Sequence, residues 1–164
     1  MNETPHTDGQ EQKVPQRMVD AKAYISTLCE LVNEGKEVVL NITGSSMSPL
    51  LIHQRDAVML SKIQTPPKRG DIVLFQREDG SYVVHRVRKV SDEGYYMIGD
   101  GQTVTEGPVP NERLRAIVTK VRRKGQWIER NDLKWWLFAS FWLWIVPLRP
   151  FMVRLIRLFR IEPK

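Results

Sequence analysis

Thr43-Gly44-Ser45-Ser46-Met47-Ser48-Pro49-Leu50 is the stretch from which the rest of the chain can be read. It follows an alternating run, Val38-Val39-Leu40-Asn41-Ile42, that has the period of a strand. Gly44, Ser45 and Ser46 are small, so the backbone can turn sharply there and present hydroxyls at the turn. Pro49 then fixes φ and removes a donor. A serine on such a turn is a weak nucleophile by itself. It needs a base within hydrogen-bond reach and a third group that orients the base.

Downstream, residues 37–128 read as β structure, with short apolar runs separated by turn signals. Ala57-Val58-Met59-Leu60 is one run, and Pro66-Pro67-Lys68-Arg69-Gly70 is a loop before a second run from Asp71 to Gln76. Glu78-Asp79-Gly80-Ser81 forms a hairpin turn into a long strand from Tyr82 to Val90. Asp92-Glu93-Gly94 turns again into Tyr95-Tyr96-Met97-Ile98, and Leu114 to Val121 closes the series. The pattern predicts a mainly β domain, a coiled antiparallel sheet or partly closed barrel.

Four blocks in this region carry a resemblance. Gly44-Ser45-Ser46-Met47-Ser48-Pro49 resembles the nucleophile box of type I signal peptidases and their relatives, the self-cleaving SOS repressors. Arg69-Gly70-Asp71-Ile72-Val73-Leu74-Phe75 is similar to the strand block that follows it, Tyr82-Val83-Val84-His85-Arg86-Val87 to the base block, and Ile98-Gly99-Asp100-Gly101 to the acidic block. The four stand in the order of the S24/S26-type serine peptidase superfamily and cover residues 37–123.

The resemblance implies a signal-peptidase-type β fold and a peptide substrate held extended beside a strand. It makes Ser46 the nucleophile, His85 the general base and Asp100 the orienting acid. Histidine followed by Arg-Val, where bacterial signal peptidases and SOS repressors use lysine, is the pattern of the endoplasmic-reticulum-type branch. Histidine suits the role because its ordinary pKa leaves it neutral near pH 7, which predicts an acid limb of kcat/KM near pH 6 to 7. Lys89 is the nearest lysine that could compete, four residues along the same strand. That branch also carries a second aspartate six residues after the first, where this chain has Glu106. Many members have a serine two residues before the nucleophile that donates to the oxyanion. Gly44 stands there, which leaves that task mostly to the Ser46 backbone N–H.

Around this domain the sequence divides into a polar tail (1–15), an amphipathic helix (16–36) and a C-terminal segment (129–164). The tail has almost nothing to bury and no apolar centre of the kind a secretory signal needs. In the helix, Met18, Ala21, Ile25, Leu28 and Val32 form one stripe, with Cys29 off it. Residues 133–146 hold Trp135, Trp136, Trp142 and Trp144 among aliphatic residues, and Pro147 and Pro150 interrupt the run. Arg154, Arg157 and Arg160 then recur three apart. The uninterrupted stretch is shorter than the ~20 residues a span requires. Tryptophan with arginine favours the lipid headgroup region, so the segment reads as a membrane-associated apolar helical hairpin.

The net charge of +6 asks for an anionic partner, and much of the excess lies beside this segment, in Arg122-Arg123-Lys124 and after residue 149. That placement favours membrane lipid over nucleic acid. A single cysteine excludes a disulfide framework or a cysteine zinc site. His6, His53 and His85 lack ligand spacing, so neither metal nor cofactor is expected. The function expected is a membrane-associated serine endopeptidase that cleaves a signal or leader peptide, with its active site favoured on the cytoplasmic face. The competing reading is an inactive relative that binds peptide or lipid. A self-cleaving repressor would need a DNA-binding module and a lysine base.

Overall fold

The computed structural model describes residues 16–130 together with Asp132, Trp135 and Leu148. The expected polar tail and most of the expected C-terminal hairpin lie outside the described residues. Among the described residues, one long helix, α1 (Gln16–Asn33), precedes eight strands. These are β1 (Val38–Asn41), β2 (Ala57–Ser61), β3 (Ile72–Gln76), β4 (Tyr82–Ser91), β5 (Gly94–Ile98), β6 (Glu106–Val109), β7 (Leu114–Arg123) and β8 (Gln126–Glu129). Among the described residues no helix is long and apolar enough to cross a membrane.

α1 ends where its backbone donors run back on themselves. The Lys36 N–H donates to Leu31 C=O and the Gly35 N–H to Val32 C=O, a Schellman closure that turns the chain into β1. Toward the end of the helix Leu28 and Val32 are buried, whereas Ala21 is exposed. Cys29 also belongs to the buried face, a correction to the stripe read from the sequence. Burial pushes its thiol pKa up, which keeps it a neutral packing group.

The strands pair in the order β1-β2-β7-β3-β4-β5-β6, all antiparallel, with β8 on β7. The expected fold was a coiled sheet or a partly closed barrel; the sheet is open, with β1 and β6 at its ends. Alternation along β3 splits the core in two. Ile72 and Leu74 join α1, β1, β2 and Met47 on one face, while Val73 and Phe75 join Val87, Tyr95, Met97 and Ile117 on the other. Trp135 buries to 7 % exposure in the first of these clusters. The first tryptophan of the C-terminal run is therefore part of the domain core, and packing continues past residue 128.

Candidate active site

The chain leaves β1 at Asn41 and enters the serine turn, which several backbone groups hold in place. Ile42 N–H donates to Asp56 C=O and Gln54 N–H to Ile42 C=O, so the loop after the turn is tied to its base. Leu51 N–H donates to Met47 C=O, a single helical turn directly after Ser46. Met47 is buried at 2 % exposure and anchors the turn in the core, while Ser46 stays half-buried at its rim. Gly44 has φ +81° and its N–H donates to Nδ1 of His53 at 3.0 Å. A serine in that backbone conformation would be strained, which is a physical reason for glycine at this position. His53 thus acts as an acceptor for the loop, a role that nothing in its sequence context signalled.

The Gly99-Asp100-Gly101 loop closes over this turn. Gly101 N–H donates to Ser46 C=O at 2.8 Å. A Cβ at Gly99 would stand 2.6 Å from Ser46 O, and one at Gly101 would stand 2.7 Å from Ser48 O. Both glycines are required because backbone meets backbone there. The acidic block is therefore a clamp on the serine turn.

β4 supplies the other wall. His85 pairs with Val73 of β3, so its ring lies on the second core face, 6.0 Å from the ring of Phe75 and fully buried. Ser46 and His85 both line a cleft of about 480 Å³, together with Leu40, Ile42, Tyr82 and Arg77. Ile25 of α1 also lines it. Neither ring nitrogen of His85 has an aligned hydrogen bond. The closest acid is Glu106, whose Oε1 lies 3.2 Å from Nδ1.

Asp100 is gripped by an arginine. Both its oxygens accept from Arg86, Nε to Oδ1 at 2.8 Å and Nη2 to Oδ2 at 2.8 Å, and Arg86 Nη1 donates to Gly70 C=O. Both residues of the pair are buried, at 2 % and 0 % exposure. The hydrogen bond to His85 that an orienting acid would accept is not made by Asp100 here. Lys89 is exposed, lies over the Tyr96 ring at 5.3 Å, and follows a β-bulge that breaks the alternation of β4. It does not line the cleft. Among the described residues no cluster of side chains could hold a metal ion.

Burial dominates the titration of His85 and lowers its pKa to about 4, against the upward pull of the Glu106 carboxylate. The acid limb expected near pH 6 to 7 therefore moves down, since the base stays neutral to about pH 4. The same shift links to stability. The unfolded chain takes up this proton near pH 6.5 and the folded chain only near pH 4. The stabilisation is thus complete above pH 6.5 and is lost as pH falls from there to about 4, a change of about 3 kcal/mol. Urea unfolding at a series of pH values should show this loss in the natural chain and lack it in His85→Phe.

An open antiparallel sheet that sets a turn serine and a buried histidine on the walls of one cleft has the architecture of a serine-peptidase-type domain. The profile of the Peptidase S24-like family matches residues 7–121, and the chain belongs to that family. No curated protein matches it.

Proposed function

We propose that this chain is a serine endopeptidase of the signal-peptidase-like kind, closest to the endoplasmic-reticulum-type Ser-His branch, that cleaves a signal or leader peptide. The observation that carries the reading is the placement of a buried, neutral His85 on the wall of the cleft that also holds Ser46. Ser46 Oγ attacks the scissile carbonyl carbon, and its proton passes to His85 Nε2. The Ser46 backbone N–H stabilises the oxyanion. The imidazolium then returns the proton to the leaving amine, and water hydrolyses the acyl-enzyme by the reverse transfer. The orienting acid in this scheme is Glu106, beside Nδ1, while Asp100 serves with Arg86 to hold the clamp over the serine turn.

The peptide lies extended along the cleft beside β1, whose outer edge pairs with no other strand among the described residues. Trp136, Trp142 and Trp144 with Arg154, Arg157 and Arg160, and the basic run Arg122-Arg123-Lys124, support attachment to anionic lipid.

The test compares two amides on a fluorogenic leader-type peptide. Glu106→Gln should keep the fold and lower kcat by up to about ten-thousand-fold, the scale seen when a triad histidine loses its tautomer. Asp100→Asn should act chiefly on thermal stability. If folded Asp100→Asn loses more activity than Glu106→Gln, the orienting acid is Asp100.

A further inference from the structure

Glu106 is a longer acid than aspartate, and its extra rotor must be held if its carboxylate is to face one nitrogen of one ring. It stands on β6, at the end of the sheet, with 27 % of its side chain exposed. Arg77, in the turn between β3 and β4, reaches it with both arms: Nε donates to Oε2 and Nη2 to Oε1, each at 2.5 Å. Oε1 is also the oxygen 3.2 Å from His85 Nδ1. One carboxylate oxygen is thus shared between a guanidinium and the imidazole.

We infer that Arg77 is a positioning residue for the base, fixing the Glu106 carboxylate against His85 Nδ1 while its own charge opposes the charge that proton transfer puts on the ring. The inference rests on the Ser46–His85 reading of the cleft. A bidentate guanidinium fork fits a carboxylate in a single plane, which a lysine cannot do. The charged groups acting on His85 are Glu106, Arg77 and Asp100, and the last is paired with Arg86. Glu106 favours the imidazolium and Arg77 disfavours it. Arg77 also holds the Glu106 carboxyl below the usual carboxylate range, which keeps that acid ionised. Burial keeps the ring neutral at rest, and Arg77 offsets part of the Glu106 pull while it holds that carboxylate in place.

The experiment is an NMR titration of His85 in a Ser46→Ala background, with kcat/KM measured against pH in the parent chain. Arg77→Met should raise the His85 midpoint by about one unit or more, because Glu106 then acts unopposed. Glu106→Gln should lower it. Arg77→Lys should hold the midpoint close to that of the parent while kcat falls, which separates the charge from the clamp. The acid limb of Arg77→Met should move up in step with the titration. An unchanged midpoint in Arg77→Met, or full activity in Arg77→Lys, would overturn the inference. A parent chain that cleaves no peptide while the titration shifts as described overturns the peptidase reading and leaves the electrostatic role of Arg77 standing.

Discussion

Ser46→Ala is expected to abolish peptide cleavage, by about a million-fold in kcat, the scale reached when a peptidase nucleophile is removed. The variant should keep its fold. What Ser46 gives to the structure is its backbone carbonyl, which accepts from Gly101 and survives the substitution. Its side chain sits half-buried at the cleft rim and fills no core space. Ser45 and Ser48 are the controls. Ser45 is exposed and its carbonyl accepts from Ser48 N–H, again a backbone contact. Both alanine variants should retain most activity. Cleavage assays paired with circular dichroism check this, and an inactive Ser45→Ala beside an active Ser46→Ala would show that the nucleophile was assigned to the wrong serine.

Arg86→Met should be strongly destabilising. It removes both Arg86 donors to the Asp100 carboxylate, which has no exposure, and the donor to Gly70 C=O. Breaking one side of a buried ion pair costs about 3–5 kcal/mol. Against a typical stability of about 5–15 kcal/mol, that can empty the native state at moderate temperature. The consequence reaches the site, because Asp100 lies between the two glycines whose backbones press on Ser46 and Ser48. Urea midpoints measure the loss. The double variant Arg86→Met, Asp100→Leu should recover a large part of it, since neither charge is then left alone in the core. A shift below about 1 kcal/mol for Arg86→Met, the range of an exposed pair, would show that the pair is not buried in solution.

The parts of this protein set by local chemistry were legible in the chain. The alternation of Val38 to Ile42, the glycine and proline around Ser46, and the hairpin signal at Asp79-Gly80 each act over a few residues, and each appears in the structure where the pattern put it. Motif order singled out Ser46 and His85, and both line one cleft. The acid beside the histidine, Glu106, was legible only as the residue at the second acidic position, without its contact to the ring. Asp100 sits in the more suggestive motif, yet the residue next to it in space is Arg86, whose fork takes both its oxygens. Glu106 and Arg77 are 29 residues apart and meet because β6 and the β3–β4 turn converge at one end of the sheet. Cys29 and Trp135 show the same limit, each buried by partners distant in sequence. Sequence periodicity says which face a residue occupies. Which side chains share a carboxylate depends on strand order, bulges and long-range pairing, and these are fixed only when the whole sheet assembles.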